Sequence, residues 1–176
     1  MKSESDEYKN KFGIVIEDIP SNAIELMSVS LESLLAATNN YKKSHVGVLM
    51  SYGNHERPMS QTLHFSNYYS TEGLWCRGCN QSRDASKEEL ESNLFQQLVF
   101  ADYFIHMEAG QIVPSDLFTQ IDGMTRNKKA CCFGFNGVYA VLKSAVRNHY
   151  YECGSYKDTE KYIVEFSKSK GLYKEL

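Results

Sequence analysis

A cysteine becomes a nucleophile when its thiolate is favoured, and a helix amino terminus and a neighbouring imidazole both favour it. The chain has five cysteines and five histidines. Cys131 and Cys132 stand just before Phe135 to Asn148, where Val138, Leu142 and Val146 recur at helical spacing. That spacing predicts a helix with Cys132 at its mouth. His45 opens the most apolar run, His45 to Tyr52, and His64 lies in Gln61 to Tyr69, which alternates as a neighbouring strand would. One histidine would then serve as base, and the other would orient it or stabilise an oxyanion.

Cys76 and Cys79 form a C-x-x-C in Leu-Trp-Cys-Arg-Gly-Cys. A structural zinc needs four ligands, and no second C-x-x-C or H-x-H spacing supplies the other two. A thioredoxin-like role would need the pair to open a helix, yet Asn80 to Asp84 reads as loop. Two ordinary thiols near a turn are expected, with no metal and no cofactor. An odd cysteine count without an export signal fits a reducing compartment, and a cytoplasmic location follows as the expectation. His55 reads as a solvated loop residue, while His106 and His149 are expected on helices.

The elements that would position these residues begin after a polar arm, residues 1–11. Phe12 to Ile19 has the β-branched content of a strand, and Ile24, Met27, Leu31, Leu34 and Leu35 mark a helix over residues 22–38. Gly73 to Cys76 reads as a third short strand. Ser86 with Glu89 makes a capping box, and Leu90, Leu94, Leu98 and Ile105 predict a helix running to about Met107. Pro114 to Asp116 opens a short helix, and Asp158 is expected to cap a last one. Strands first and helices later imply an α+β fold: a small antiparallel sheet packed against several helices, as one domain over residues 12–176.

The order of these features resembles the circularly permuted papain-like cysteine hydrolases, the permuted NlpC-type enzymes and the lecithin:retinol acyltransferase branch. The matching residues are Ser44-His45-Val46-Gly47, then His64 in Thr62-Leu63-His64-Phe65, then Cys132-Phe133-Gly134-Phe135. The resemblance implies a permuted papain-like fold with Cys132 as nucleophile, His45 as base and His64 as third member. Because the cysteine is doubled, Cys131 is the alternative nucleophile. The family's Pro-Gly-Asp is missing at Pro20-Ser21-Asn22. The implied activity is hydrolysis or acyl transfer on an amide, ester or thioester, with an acyl or peptide substrate.

Composition bounds these readings. The 176 residues carry 19 Lys and Arg against 22 Asp and Glu, a net charge of -3, which argues against a phosphate-backbone binder. No apolar run approaches the roughly 20 residues of a membrane span. The 12 tyrosines and 9 phenylalanines support one alternative, a non-catalytic protein-binding module such as an inhibitor, immunity or adaptor protein. It would use Tyr68, Tyr69, Trp75, Tyr103, Tyr150, Tyr151 and Tyr156 as an aromatic surface.

Overall fold

The computed structural model describes residues 9–17, 24–51, 59–79, 96, 98–125 and 130–176. The capping box at Ser86 and Glu89, the loop at His55 and most of the polar arm lie outside them. Strands β1 (Phe12–Glu17), β2 (Val46–Ser51) and β3 (Trp75–Cys79) alternate with helices α1 (Ile24–Asn39) and α2 (Met59–Thr71). Strand β4 (Tyr103–Glu108) precedes α3 (Leu117–Thr125). The chain then forms β5 (Cys132–Phe135), β6 (Val138–Leu142), α4 (Lys143–Cys153), α5 (Tyr156–Ser169) and β7 (Tyr173–Glu175). The strands make one sheet in the order β3-β2-β1-β4-β6-β5-β7.

This is an α/β architecture with a mixed and mainly parallel sheet, which corrects the expected small antiparallel one. The pairs β2–β3, β1–β2, β1–β4 and β5–β7 are parallel, and β6 runs antiparallel to both β4 and β5. Parallel neighbours need a crossover, and α1 and α2 supply it between β1, β2 and β3. Such strands are covered on both faces, so they read as continuous apolar runs. FGIVIE and VGVLMS do so, and every residue of β1 and β2 is buried.

Two cores result. On one face, Phe12, Ile14 and Ile16 pack with Met27 and Leu31 of α1, Phe65 and Tyr69 of α2, and Leu117 and Phe118 of α3. On the other, Val15, Leu49, Phe104, Cys132 and Val141 pack with Val146 and Tyr150 of α4 and Tyr156 and Ile163 of α5.

Three local expectations change. Gln61 to Tyr69 is helix: Phe65 and Tyr69, four residues apart, are buried on one side while Leu63 and Tyr68 face outward. Tyr103 to Glu108 is a central strand rather than the end of a helix, with all but its last residue buried. Phe135 to Leu142 is a hairpin. Asn136 (φ 49°) and Gly137 (φ 76°) both take positive φ at its two-residue turn, the conformation a type I′ turn requires and Asn-Gly favours. The last helix is capped by Ser155, whose Oγ accepts from the Asp158 N–H at 3.2 Å.

The aromatic surface also changes. Tyr69, Tyr103, Tyr150 and Tyr156 are core residues, while Tyr68 and Trp75 remain partly exposed.

Close approach explains one glycine. A Cβ on Gly13 would meet Leu98 Cδ1 at 2.9 Å, and Ala101 Cβ and Leu98 Cβ at 3.1 Å. Gly13→Ala should therefore cost about 1–3 kcal/mol, the usual penalty for overpacking. A urea denaturation midpoint equal to that of the parent chain would contradict this packing.

Candidate functional site

In open α/β sheets the backbone groups at the carboxyl ends of parallel strands face a crevice where the strand order reverses. Here the chain builds outward from β1 to β2 and β3, then returns to place β4 on the other side of β1. The reversal lies between β1 and β4. Their last residues, Glu17 and Glu108, are register partners, and Val15 pairs with His106 two positions inside. Side chains alternate along a strand, so Glu17, His106 and Glu108 all belong to the face covered by α4 and α5. Ser51 closes β2 beside them and is fully buried.

Glu17 is 1% exposed and His106 0%. The His106 Nδ1 lies 3.7 Å from the Glu17 Oε2, a contact that becomes an ion pair when the imidazole carries its second proton. The imidazole stacks on Tyr156 of α5, with centroids 3.9 Å apart and planes at 15°. A buried carboxylate is costly unless a polar or charged group meets it, and His106 provides that group. Glu108 is exposed.

The turn after β4 sets where Glu108 stands. Its N–H donates to Gln111 Oε1 at 2.7 Å, and the Gln111 N–H donates back to the Glu108 carbonyl at 3.1 Å. Gly110, at φ 95°, donates to the Leu26 carbonyl and to Ser30 Oγ, and the Ser30 hydroxyl donates to the Gln111 carbonyl. Val113 N–H donates to Ser33 Oγ. The segment is thus tied along α1, and Gly110 is needed at a left-handed position. Among the described residues, no three His, Cys, Asp or Glu side chains are grouped to hold a metal ion. Of the described carboxylates that end β1 and β4, Glu17 is buried against His106 and Glu108 is exposed.

The residues expected to do cysteine chemistry are not brought together. Cys132 is the first residue of β5, not a helix start, and its side chain is fully buried on the α4–α5 face. Burial first, and then the Glu160 carboxylate, push its thiol up to about 12. His45 ends a short 3-10 turn, Lys43–His45, ahead of β2. Three strands stand between β2 and β5, a separation of roughly 19 Å at the usual strand spacing. His64 is exposed on α2, which packs on the opposite face of the sheet. Cys131 is half-buried with its thiol also raised by burial, and Cys76 is pushed up to about 12.

Sequence reading missed Glu17, Ser51, His106 and Glu108. The available signal was an acidic residue ending each of two apolar runs, FGIVIE and YFIHME, within a strand–helix alternation.

Two outcomes test this description. Cys132 should resist iodoacetamide in the folded protein at neutral pH and label only in denaturant. Because its pKa is raised from 9.0, its share of stability is complete below pH 9 and is lost as pH rises towards 12. Rapid native labelling of Cys132 would contradict the burial. His106→Ala should cost about 3–5 kcal/mol in denaturant unfolding, because it leaves the Glu17 carboxyl buried without its imidazole. A loss near zero would show that the contact carries no stability.

No family model and no curated protein matches the chain by sequence. Solved structures do match. The mannosyltransferase PcManGT from Pyrobaculum calidifontis, solved with GDP-Man and Mn2+, superposes with a TM-score of 0.65 at 9% identity, over 91% of this chain and 53% of that one. Residues 1–349 of Staphylococcus aureus TarS give 0.57 at 11% identity, over 85% and 53%. The glycosyltransferase GlyE of Streptococcus pneumoniae TIGR4 gives 0.53 at 15% identity, over 96% and 45%. The chain therefore spans about half the length of these glycosyltransferases. These neighbours overturn the papain-like resemblance, and with it the cysteine hydrolase or acyltransferase and its acyl or peptide substrate. They lend no support to the alternative of a protein-binding module. Among the described residues no helix is long and apolar enough to cross a membrane. What the chain shares with these enzymes is their fold.

Proposed function

We propose that the chain, acting as one domain over residues 12–176, binds a nucleotide-activated sugar at the carboxyl edge between β1 and β4 and transfers its glycosyl group. The observation that carries this reading is the register pair Glu17 and Glu108 at the reversal of strand order. The fold neighbours suggest the substrate class. PcManGT was solved with GDP-Man, and TarS also with UDP.

In such a transfer the oxygen of an acceptor hydroxyl bonds to the sugar's anomeric carbon and gives up its proton, while the nucleotide phosphate leaves with the electron pair of the bond that breaks. The donor must be held in one pose while this happens. Glu108, exposed on a turn tied to α1, accepts hydrogen bonds from donor hydroxyls in this reading. The buried Glu17–His106–Tyr156 group supports the edge from below rather than touching the donor. No cation-binding role is assigned to these residues.

The test is calorimetric or saturation-transfer titration of the full chain with UDP-, GDP-, ADP- and CMP-sugars. At least one should bind, and Glu108→Ala should weaken it by roughly tenfold to a hundredfold, the worth of a charged hydrogen bond. If none of these donors binds the folded chain, or if Glu108→Ala binds as the parent does, the reading fails.

A further inference from the structure

The outer side of α2 carries aromatic and polar groups that the carboxyl edge does not use. Phe65 and Tyr69 turn inward to the core, and His64 and Tyr68 turn outward. Four residues apart on one helix face, the His64 and Tyr68 rings stack with centroids 6.4 Å apart and planes at 19°. Tyr68 is 49% exposed. Its other contact is the Tyr69 ring, which meets it edge-on at 5.0 Å and is itself anchored by a hydroxyl bond to Glu32 Oε1 at 2.8 Å. Beside the stacked pair lies a depression of about 390 Å³, whose described lining is His64, Asn67, Tyr68, Thr71 and Glu72.

Hydrogen bonds hold the polar margin of this face in place. The Glu72 N–H donates to the Tyr68 carbonyl at 3.2 Å, and the Lys43 ammonium donates to the Glu72 carbonyl at 2.6 Å. The Thr71 hydroxyl donates to the Asn67 carbonyl at 2.9 Å, so towards the depression it can only accept. An ionised Glu72 carboxylate also only accepts, and it disfavours an anion. A ligand seated here must therefore bring its own donors. The parallel rings ask in addition for a flat apolar surface. A ring with C–H groups on its face and hydroxyls around its rim meets both demands.

The geometry points to a saccharide site on this face of α2. A neutral pyranose lays its C–H face on Tyr68 and His64 and donates hydroxyl hydrogens to Glu72 and Thr71. The Asn67 amide, which has both donors and an acceptor, takes either role. The depression falls within the roughly 300–1,000 Å³ usual for small-molecule sites. α2 covers the sheet face opposite the one that holds Glu17 and His106. The site therefore does not depend on the proposed sugar-nucleotide reading.

The experiment is an NMR titration of the full chain with glucose, mannose, galactose and N-acetylglucosamine, with glycerol as the control polyol. It is read at the His64 imidazole and Tyr68 ring signals. At least one sugar should give saturable shifts there that glycerol does not, while the buried His106 imidazole stays unmoved. Tyr68→Ala should weaken that sugar by about tenfold or more, the worth of an aromatic stacking contact. Tyr68→Phe, which keeps the ring, should bind within about twofold of the parent. Glu72→Gln should weaken it by roughly threefold to tenfold, as a charged acceptor becomes neutral. These side chains are exposed, so the variants should fold as the parent does. No saturable shift with any of the four sugars, an equal shift with glycerol, or undiminished binding by Tyr68→Ala would each overturn the site.

Discussion

The structure depends on burial of both faces of a short parallel sheet. β1 and β2 expose no residue on either face, so their backbone hydrogen bonds must be closed by neighbouring strands and their side chains by helices on both sides. That requirement brings α1, α2 and α3 to one face and α4 and α5 to the other. It also leaves the ends of the strands as the places where polar chemistry can meet solvent. At the carboxyl end Glu108 is exposed, with Glu17 and His106 buried just beneath it.

The carboxyl end is arranged in two tiers. Glu17 and His106 lie inside the protein, and stacking on Tyr156 ties them to α5. Glu108 lies outside, on a turn whose hydrogen bonds run to α1. Helices on opposite faces of the sheet therefore meet at one edge. A shift of α5 would act on the buried pair, and a shift of α1 on the exposed carboxylate.

The cysteine reading failed for a physical reason. Cys132 was placed by helical spacing of Val138, Leu142 and Val146, yet Val138 and Leu142 are strand residues and the helix begins at Lys143. Spacing by four suits a helix, but four is also an even number, so the same residues share one face of a strand. The Asn136-Gly137 pair, a strong hairpin signal, should have decided between them. For Phe65 and Tyr69 the same ambiguity runs in reverse, since their spacing of four fits a strand and belongs here to a helix. Once Cys132 is in β5 under α5, burial keeps its thiol protonated, and three strands separate it from the strand that His45 leads into.

The sequence by itself determined the first strand, the first helix, the second strand and the brief third strand. Their apolar runs and heptad-like spacing match one period only, and local sterics suffice to select it. It also holds an acidic residue after each of two apolar stretches, FGIVIE and YFIHME, without marking the two as partners. Only the tertiary structure decided that Tyr103 to Glu108 pairs with β1 on the side away from β2, because strand order comes from non-local hydrogen bonding that no window of residues contains. That one placement turned His106 from an expected helix residue into the buried partner of Glu17. It also set Glu108 beside Glu17 and carried Cys132 four strands away from His45.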